Sequence, residues 1–239
     1  MAGILEVSML PRIAALSFGI ALMMAPTFAQ EPSGAPARAA RREPAGPPRP
    51  PLFLREEWKQ APGAGEHPVD AAGLANPNVE LKLYGTDGKD IQITGEAGNA
   101  GNPIHLWTGL CTSVCGATLR DKENFVDLTG IAKIRWVTKV SGFHQVHPVL
   151  RLADGTMLVG DHVDGSVGDW LQSEFLISDV RWLRLDPEKL VTKGTIVAKP
   201  DLSKVDEIGF TSLIPGSGHG QGGWIDVAAI EVYGKPVKR

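Results

Sequence analysis

An all-β fold, one sandwich of two antiparallel sheets in a jelly-roll arrangement, is what the sequence predicts, and three observations carry it. From residue 79 onward apolar and polar residues alternate with period two, the side-chain period of a strand. The 239 residues include 28 glycines and 18 prolines, punctuation that suits short strands and turns better than long helices. No window longer than about two turns shows the periodicity of an amphipathic helix. Hydrophobic residues make up 43% of the chain and charged residues 21%, enough apolar material for an ordinary core. With 24 Lys and Arg against 27 Asp and Glu, the formal charge is −3. That argues against a nucleic-acid partner, because phosphate contacts draw on a basic excess.

The chain opens with an address. Arg12 precedes the apolar run Ile13 to Ala25, shorter than the roughly 18 residues of a membrane span and suited to a signal-peptide core. Thr27 and Ala29 supply small residues around Phe28, so cleavage is expected after Ala29, with residues 1–29 removed and the mature protein periplasmic or secreted. No other apolar run is long enough for a transmembrane segment. Residues 30–51, QEPSGAPARAARREPAGPPRPP, hold seven prolines and no aromatic residue, Leu, Ile or Val. Such a stretch cannot bury enough apolar surface to offset its ordering entropy, so it is expected to be a disordered linker. Its Arg38, Arg41, Arg42 and Arg49 outnumber Glu31 and Glu43, which allows contact with an anionic cell surface. The folded domain is placed at 52–239.

Within that domain Val79, Leu81 and Leu83 alternate with Glu80, Lys82 and Tyr84, and Asp87-Gly88 follows as a turn. Ile91 and Ile93 mark a short strand. Ala132, Ile134, Trp136, Thr138 and Val140 alternate with Ile131, Lys133, Arg135, Val137 and Lys139. Val146, Leu150 and Leu152 lead into Asp154-Gly155, a hairpin dipeptide, and then Thr156 to Val159. Phe175 and Ile177, Trp182 to Leu185, Ile208 with Phe210 and Ile214, and Ile225 to Tyr233 complete the set.

Two segments carry a resemblance. Asp201-Leu-Ser-Lys-Val-Asp-Glu-Ile-Gly-Phe210 and Trp224-Ile-Asp-Val-Ala-Ala-Ile-Glu-Val-Tyr-Gly234 resemble the closing strands of galactose-binding-like jelly rolls, the superfamily of carbohydrate-binding modules and discoidin-type domains. The resemblance covers about 35 residues well and the preceding 100 by strand pattern alone, and implies a sandwich that binds sugar on one sheet face, with a structural calcium in some members. A second resemblance is slighter. Leu52-Phe53-Leu54-Arg55-Glu56-Glu57-Trp58 shares the start of the opening motif of secreted 3-keto-disaccharide hydrolases, which are also sandwiches.

Candidate site residues follow from alternation. If Val146, Leu150 and Leu152 face the core, Gln145, His147 and Arg151 face out; if Ile134, Trp136 and Val140 face in, Arg135 faces out. A hairpin through Ser141-Gly142 would gather Arg135, Gln145, His147 and Arg151 on one polar face, joined by Thr211 and Glu207. Guanidinium, imidazole and amide donors suit vicinal hydroxyls or a carboxylate, although an ordinary solvated sheet face has the same look. Trp107, Trp170 and Trp224 stand beside turn residues, where an indole can stack on a sugar ring or simply pack. The run Gly216 to Gly223 lacks the ending of a phosphate loop and is a rim loop presenting His219.

Cys111 and Cys115 are the only cysteines. They can close a disulfide, stay as free thiols or, with His105, contribute to a metal site. His144 and His147, three apart on a strand, point to opposite faces and do not share a metal. Asp161 and Asp164, with Asp169 nearby, are candidate oxygen ligands for calcium, or plain turn residues. No G-x-S-x-G motif is present and no spacing selects a catalytic carboxylate pair. The function expected is an exported, non-catalytic module binding a carbohydrate. The alternatives are a periplasmic sugar-active hydrolase or lyase and a structural protein-interaction module.

Overall fold

The structure is a computed structural model describing residues 49–60, 65–220 and 222–239. The expected signal peptide and nearly all of the expected linker lie outside the described residues. Among the described residues sixteen strands follow one another. They are β1 (Leu52–Glu56), β2 (His67–Pro68), β3 (Val79–Tyr84), β4 (Gln92–Thr94), β5 (His105–Trp107), β6 (Gly116–Asp121), β7 (Asn124–Asp127) and β8 (Lys133–Val140). Then come β9 (His147–Leu152), β10 (Met157–Gly160), β11 (Val167–Leu176), β12 (Trp182–Leu185), β13 (Thr192–Ile196), β14 (Val205–Thr211), β15 (Ile225–Tyr233) and β16 (Lys235–Lys238). The only helical elements among the described residues are three short 3-10 turns, and none is long and apolar enough to cross a membrane.

The strands form two antiparallel sheets, as the alternation predicts. A seven-stranded sheet runs β11-β8-β15-β5-β4-β2, with β1 also paired to β15. A nine-stranded sheet runs β13-β12-β10-β9-β14-β6-β3, with β7 beside β14 and β16 beside β7. One continuous core lies between them. Ile134, Trp136, Val140, Ile225, Val227 and Ile230 enter from the first sheet and Leu119, Leu150, Leu158, Ile208 and Phe210 from the second. Strand β8 shows the pattern most plainly, since every second residue is buried. Trp136 and Trp182 are core residues, at 1% and 2% exposed.

The expected hairpin between β8 and β9 does not exist. Strand β8 pairs with β11 and β15, whereas β9 pairs with β10 and β14 in the other sheet. Residues 141–146 carry the chain across the end of the sandwich, with Gly142 at φ 64° and with His144 and Val146 buried. The apolar edges of β8 and β9 do face one another, but across the core rather than along a ladder. Arg135 is therefore separated by the whole sandwich from His147 and Arg151. The Asp154-Gly155 hairpin is present as expected, joining β9 to β10 with Gly155 at φ 84°.

Two interior anchors fix the start of the domain. Glu56 is fully buried, and its carboxylate accepts from the backbone N–H groups of Trp58, Ala75 and Asn76 at 2.9, 2.7 and 3.0 Å. Trp58 donates its indole N–H to the Val227 carbonyl at 2.8 Å, beside the irregularity in the β15–β8 register. Cys111 and Cys115 are joined by a disulfide inside the β5–β6 connection, which settles the choice left open by their spacing.

Candidate functional site

The predicted ligand residues divide between the two outer faces. On the nine-stranded sheet, Arg151 of β9 lies opposite Glu207 of β14, and His147 lies opposite Thr211. Glu207 is buried and accepts from Tyr84 Oη at 2.7 Å, Thr118 Oγ1 at 2.6 Å and Arg151 Nη1 at 3.2 Å, while Arg151 also donates to Tyr84 Oη at 3.0 Å. Burial, then the neighbouring Glu207, pushes the Tyr84 phenol up to about 12. His147 donates Nδ1–H to the Gly160 carbonyl at 3.2 Å, and burial lowers its pKa.

This face is largely filled by the chain itself. Leu190 and Leu213 pack with Val149, Met157, Val159 and Leu185 in a second apolar cluster on the side away from the main core. Both leucines hold left-handed backbone, with φ 50° and 58°, and Leu190 is 1% exposed. Thr211 is fully buried here and donates its hydroxyl to the Cys115 carbonyl at 2.9 Å, so it cannot meet a ligand as the alternation suggested. Gln145 is exposed in the crossing segment, outside both faces.

The outer face of the seven-stranded sheet holds Arg135, Trp170 and Trp107, with His219 above it. Trp107 lies in strand β5 rather than in a loop and is buried. His219 stacks on its indole with centroids 4.6 Å apart, and Trp224 meets it edge-on at 6.0 Å. Trp170 of β11 is half-buried; it meets His105 edge-on at 5.0 Å, donates to the Gly101 carbonyl at 3.3 Å and has Lys139 at 6.0 Å. Arg135 is bound to Glu174 at 2.8 Å and Glu231 at 3.3 Å.

Beneath these aromatics lies a buried acid. Asp226 of β15 lies between Lys139 of β8 and Trp107 of β5 in register. It is 4% exposed, and its Oδ2 accepts from Trp224 Nε1 at 3.2 Å. Its Oδ1 has no hydrogen-bond partner and faces His105 Nε2 at 3.5 Å. Because His105 Nδ1 is committed to the Pro103 carbonyl at 2.7 Å, the neutral ring offers a lone pair at Nε2. Burial pushes the Asp226 carboxyl up to about 7 and lowers the His105 pKa. A proton held on the Asp226 carboxyl can point at Nε2.

Against the 95–104 loop, whose Gly101 carbonyl accepts from Trp170, the same face keeps an open groove of about 420 Å³. Val137, Ala228 and Ala229 line it, together with Pro103 and Ile104 of the 95–104 loop, and Glu57 and Glu96 stand on its rim. Gln172, exposed on β11, is the cross-strand neighbour of Val137. The two aspartates named as calcium candidates have protein partners. Asp161 bonds Arg181 at 2.6 Å, whereas Asp164 accepts from Ser173 and from Trp136 Nε1, the latter at 2.5 Å. Among the described residues, no group of three or more His, Cys, Asp or Glu side chains is placed to hold a metal ion. Sequence reasoning passed over Asp226 and the groove-lining alanines. The available signal was a lone acid between Ile225 and Val227, at a position that alternation assigns to the outer face.

No family model matches the sequence, and no curated protein matches it. Among solved structures, the chain is similar to the family 11 carbohydrate-binding module from Clostridium thermocellum in complex with a β-1,3-1,4-mixed-linked tetrasaccharide. The identity is 19%, with 74% of this chain and 99% of that chain covered and a TM-score of 0.42. It is similar to the family 11 module of a cellulosomal cellulase of the same organism at 18% identity, covering 72% of this chain and 96% of that one, TM-score 0.39. An exo-β-agarase gives 10% identity over 74% of this chain and 25% of its own, TM-score 0.40. Identities below 20% and TM-scores below 0.5 say nothing about the ligand of this chain, which its own residues must argue.

Proposed function

We propose that this protein is an exported, non-catalytic carbohydrate-binding module that holds a sugar or polyol on the outer face of its seven-stranded sheet. One contrast carries the reading. The middle of the opposite face is filled by Leu190 and Leu213, whereas here a groove of about 420 Å³ stays open against the 95–104 loop, whose Gly101 carbonyl holds the half-buried indole of Trp170. Sugar pockets combine an apolar platform with a few placed polar groups, and this groove is apolar along Val137, Ala228, Ala229, Pro103 and Ile104, bears Glu57 and Glu96 on its rim and has Gln172 across the ladder from Val137. Arg135, locked between two carboxylates, flanks the site rather than lining it. Export rests on the leader-like residues 1–29, and the basic linker would hold the domain near an anionic surface.

The test is calorimetric titration of the mature chain with neutral gluco-, galacto- and xylo-oligosaccharides. One class is expected to bind with Kd in the micromolar to millimolar range, and Trp170→Ala is expected to weaken it at least about tenfold with unchanged melting temperature. Absence of binding across the panel, or binding indifferent to Trp170→Ala, would overturn the reading. Mass analysis of the bound sugar after incubation is expected to find it intact; turnover would make the protein an enzyme.

A further inference from the structure

A second cavity lies on the other sheet, at the edge of the filled face. The β9–β10 turn (Gly155, Thr156), the end of β12 (Arg184, Leu185) and the segment from Asp186 to Thr195 enclose a cleft of about 400 Å³. Its apolar surface comes from Met157, Leu185, Pro187 and Val191, and its polar surface from Thr156, Thr195, Arg184, Lys193 and Asp186. The wall is built rather than incidental. Asp186 accepts from the N–H groups of Glu188 and Lys189 at 2.9 and 3.0 Å, and the Leu190 N–H bonds back to the Asp186 carbonyl at 2.9 Å. Leu190 is buried in left-handed backbone immediately before Val191, a conformation that persists only where the surroundings enforce it. Asp186 is held below the usual carboxylate range, chiefly by those backbone N–H groups, so it is charged at neutral pH.

The charges have a direction. Arg184 and Lys193 lie on the cleft; Asp154 of the adjoining turn faces Arg184, and Asp186, turned to its own backbone, faces Lys189 and Lys193. Arg151, the cross-strand neighbour of Met157, has its own charge matched by Glu207. The cleft thus offers two cationic side chains as donors, two hydroxyls and an apolar patch, in a space that fits one or two sugar rings. We propose that it is a second ligand site, for an acidic saccharide whose carboxylate meets Arg184 and Lys193 while the ring rests against Met157 and Val191. The site is independent of the Trp170 groove and does not rest on it.

The probe is trigalacturonate, with the neutral galactotriose as control, titrated against the mature chain at low and high salt. Trigalacturonate is expected to bind and galactotriose to bind at least about tenfold more weakly, with affinity falling as salt rises. Arg184→Gln and Lys193→Gln are each expected to cost about tenfold. Trp170→Ala is expected to change nothing, which separates this site from the groove. If Arg184→Gln perturbs folding, the exposed Lys193 gives the same readout alone. No binding of trigalacturonate by the unaltered chain overturns the proposal, as does binding untouched by Lys193→Gln or lost in Trp170→Ala.

Discussion

Asp226 sits between two core residues, Ile225 and Val227, with its carboxyl under Trp224 and against His105. Its folded pKa of about 7 lies above its ordinary 3.8, so the stability gained by keeping it protonated is complete below that ordinary value and lost as pH rises through 7. The lowered His105 acts in the opposite sense, its contribution being lost as pH falls through its depressed value. Asp226→Asn isolates the carboxyl. Its melting temperature minus that of the unaltered chain is expected to be near zero at about pH 4, to climb towards pH 7 and then to level off. A difference that does not vary with pH would place the charge elsewhere. The two arginines that alternation grouped together should also part company. Arg135 is paired at the surface, and Arg135→Ala is expected to cost under about 1 kcal/mol. Arg151→Ala removes the positive partner of the buried Glu207 and is expected to cost about 2 kcal/mol in urea unfolding.

The strands were legible wherever one side of a residue faces the core and the other faces water. Strand β8 could be read residue by residue, and so could the β9–β10 hairpin, because Asp154-Gly155 names its turn. Partnership was not legible. Period two says which side of a strand is wet, not whether the next strand lies beside it or across the core, and β8 and β9 satisfy both descriptions. Strands β6 and β7 were missed because the run Gly116 to Asp127 mixes charges with apolar residues, and of β11 only the end at Phe175 was marked because nearly all the rest is exposed. The segment covering the second sheet was equally hidden, since a leucine in a Pro-Glu-Lys-Leu turn carries no sign that it folds back onto a sheet. Leu190→Ala is expected to cost about 3 kcal/mol by leaving a cavity over Gly116, measured by denaturant midpoint at unchanged slope. A cost below about 1 kcal/mol would mean that the segment lies loosely on the sheet.

At the scale of the whole molecule, one apolar cluster reaches both sheets, from Leu54 near the start to Val232 near the end. Residues 52–239 are therefore expected to unfold in a single calorimetric transition, and two resolved transitions would contradict a shared core. The seven-stranded sheet also has an unusual spine. Strand β15 pairs with β8 on one edge and with β5 and β1 on the other, so the first strand of the domain finds its partner only at Glu231 and its neighbours. Synthesis runs in the other direction. Until residue 233 has emerged, β1, β5 and β8 are three strands of a layer that lacks the piece joining them, so this sheet cannot close before the chain's last strands are made. A chain that stays open until it is finished is one that a translocation channel can still thread.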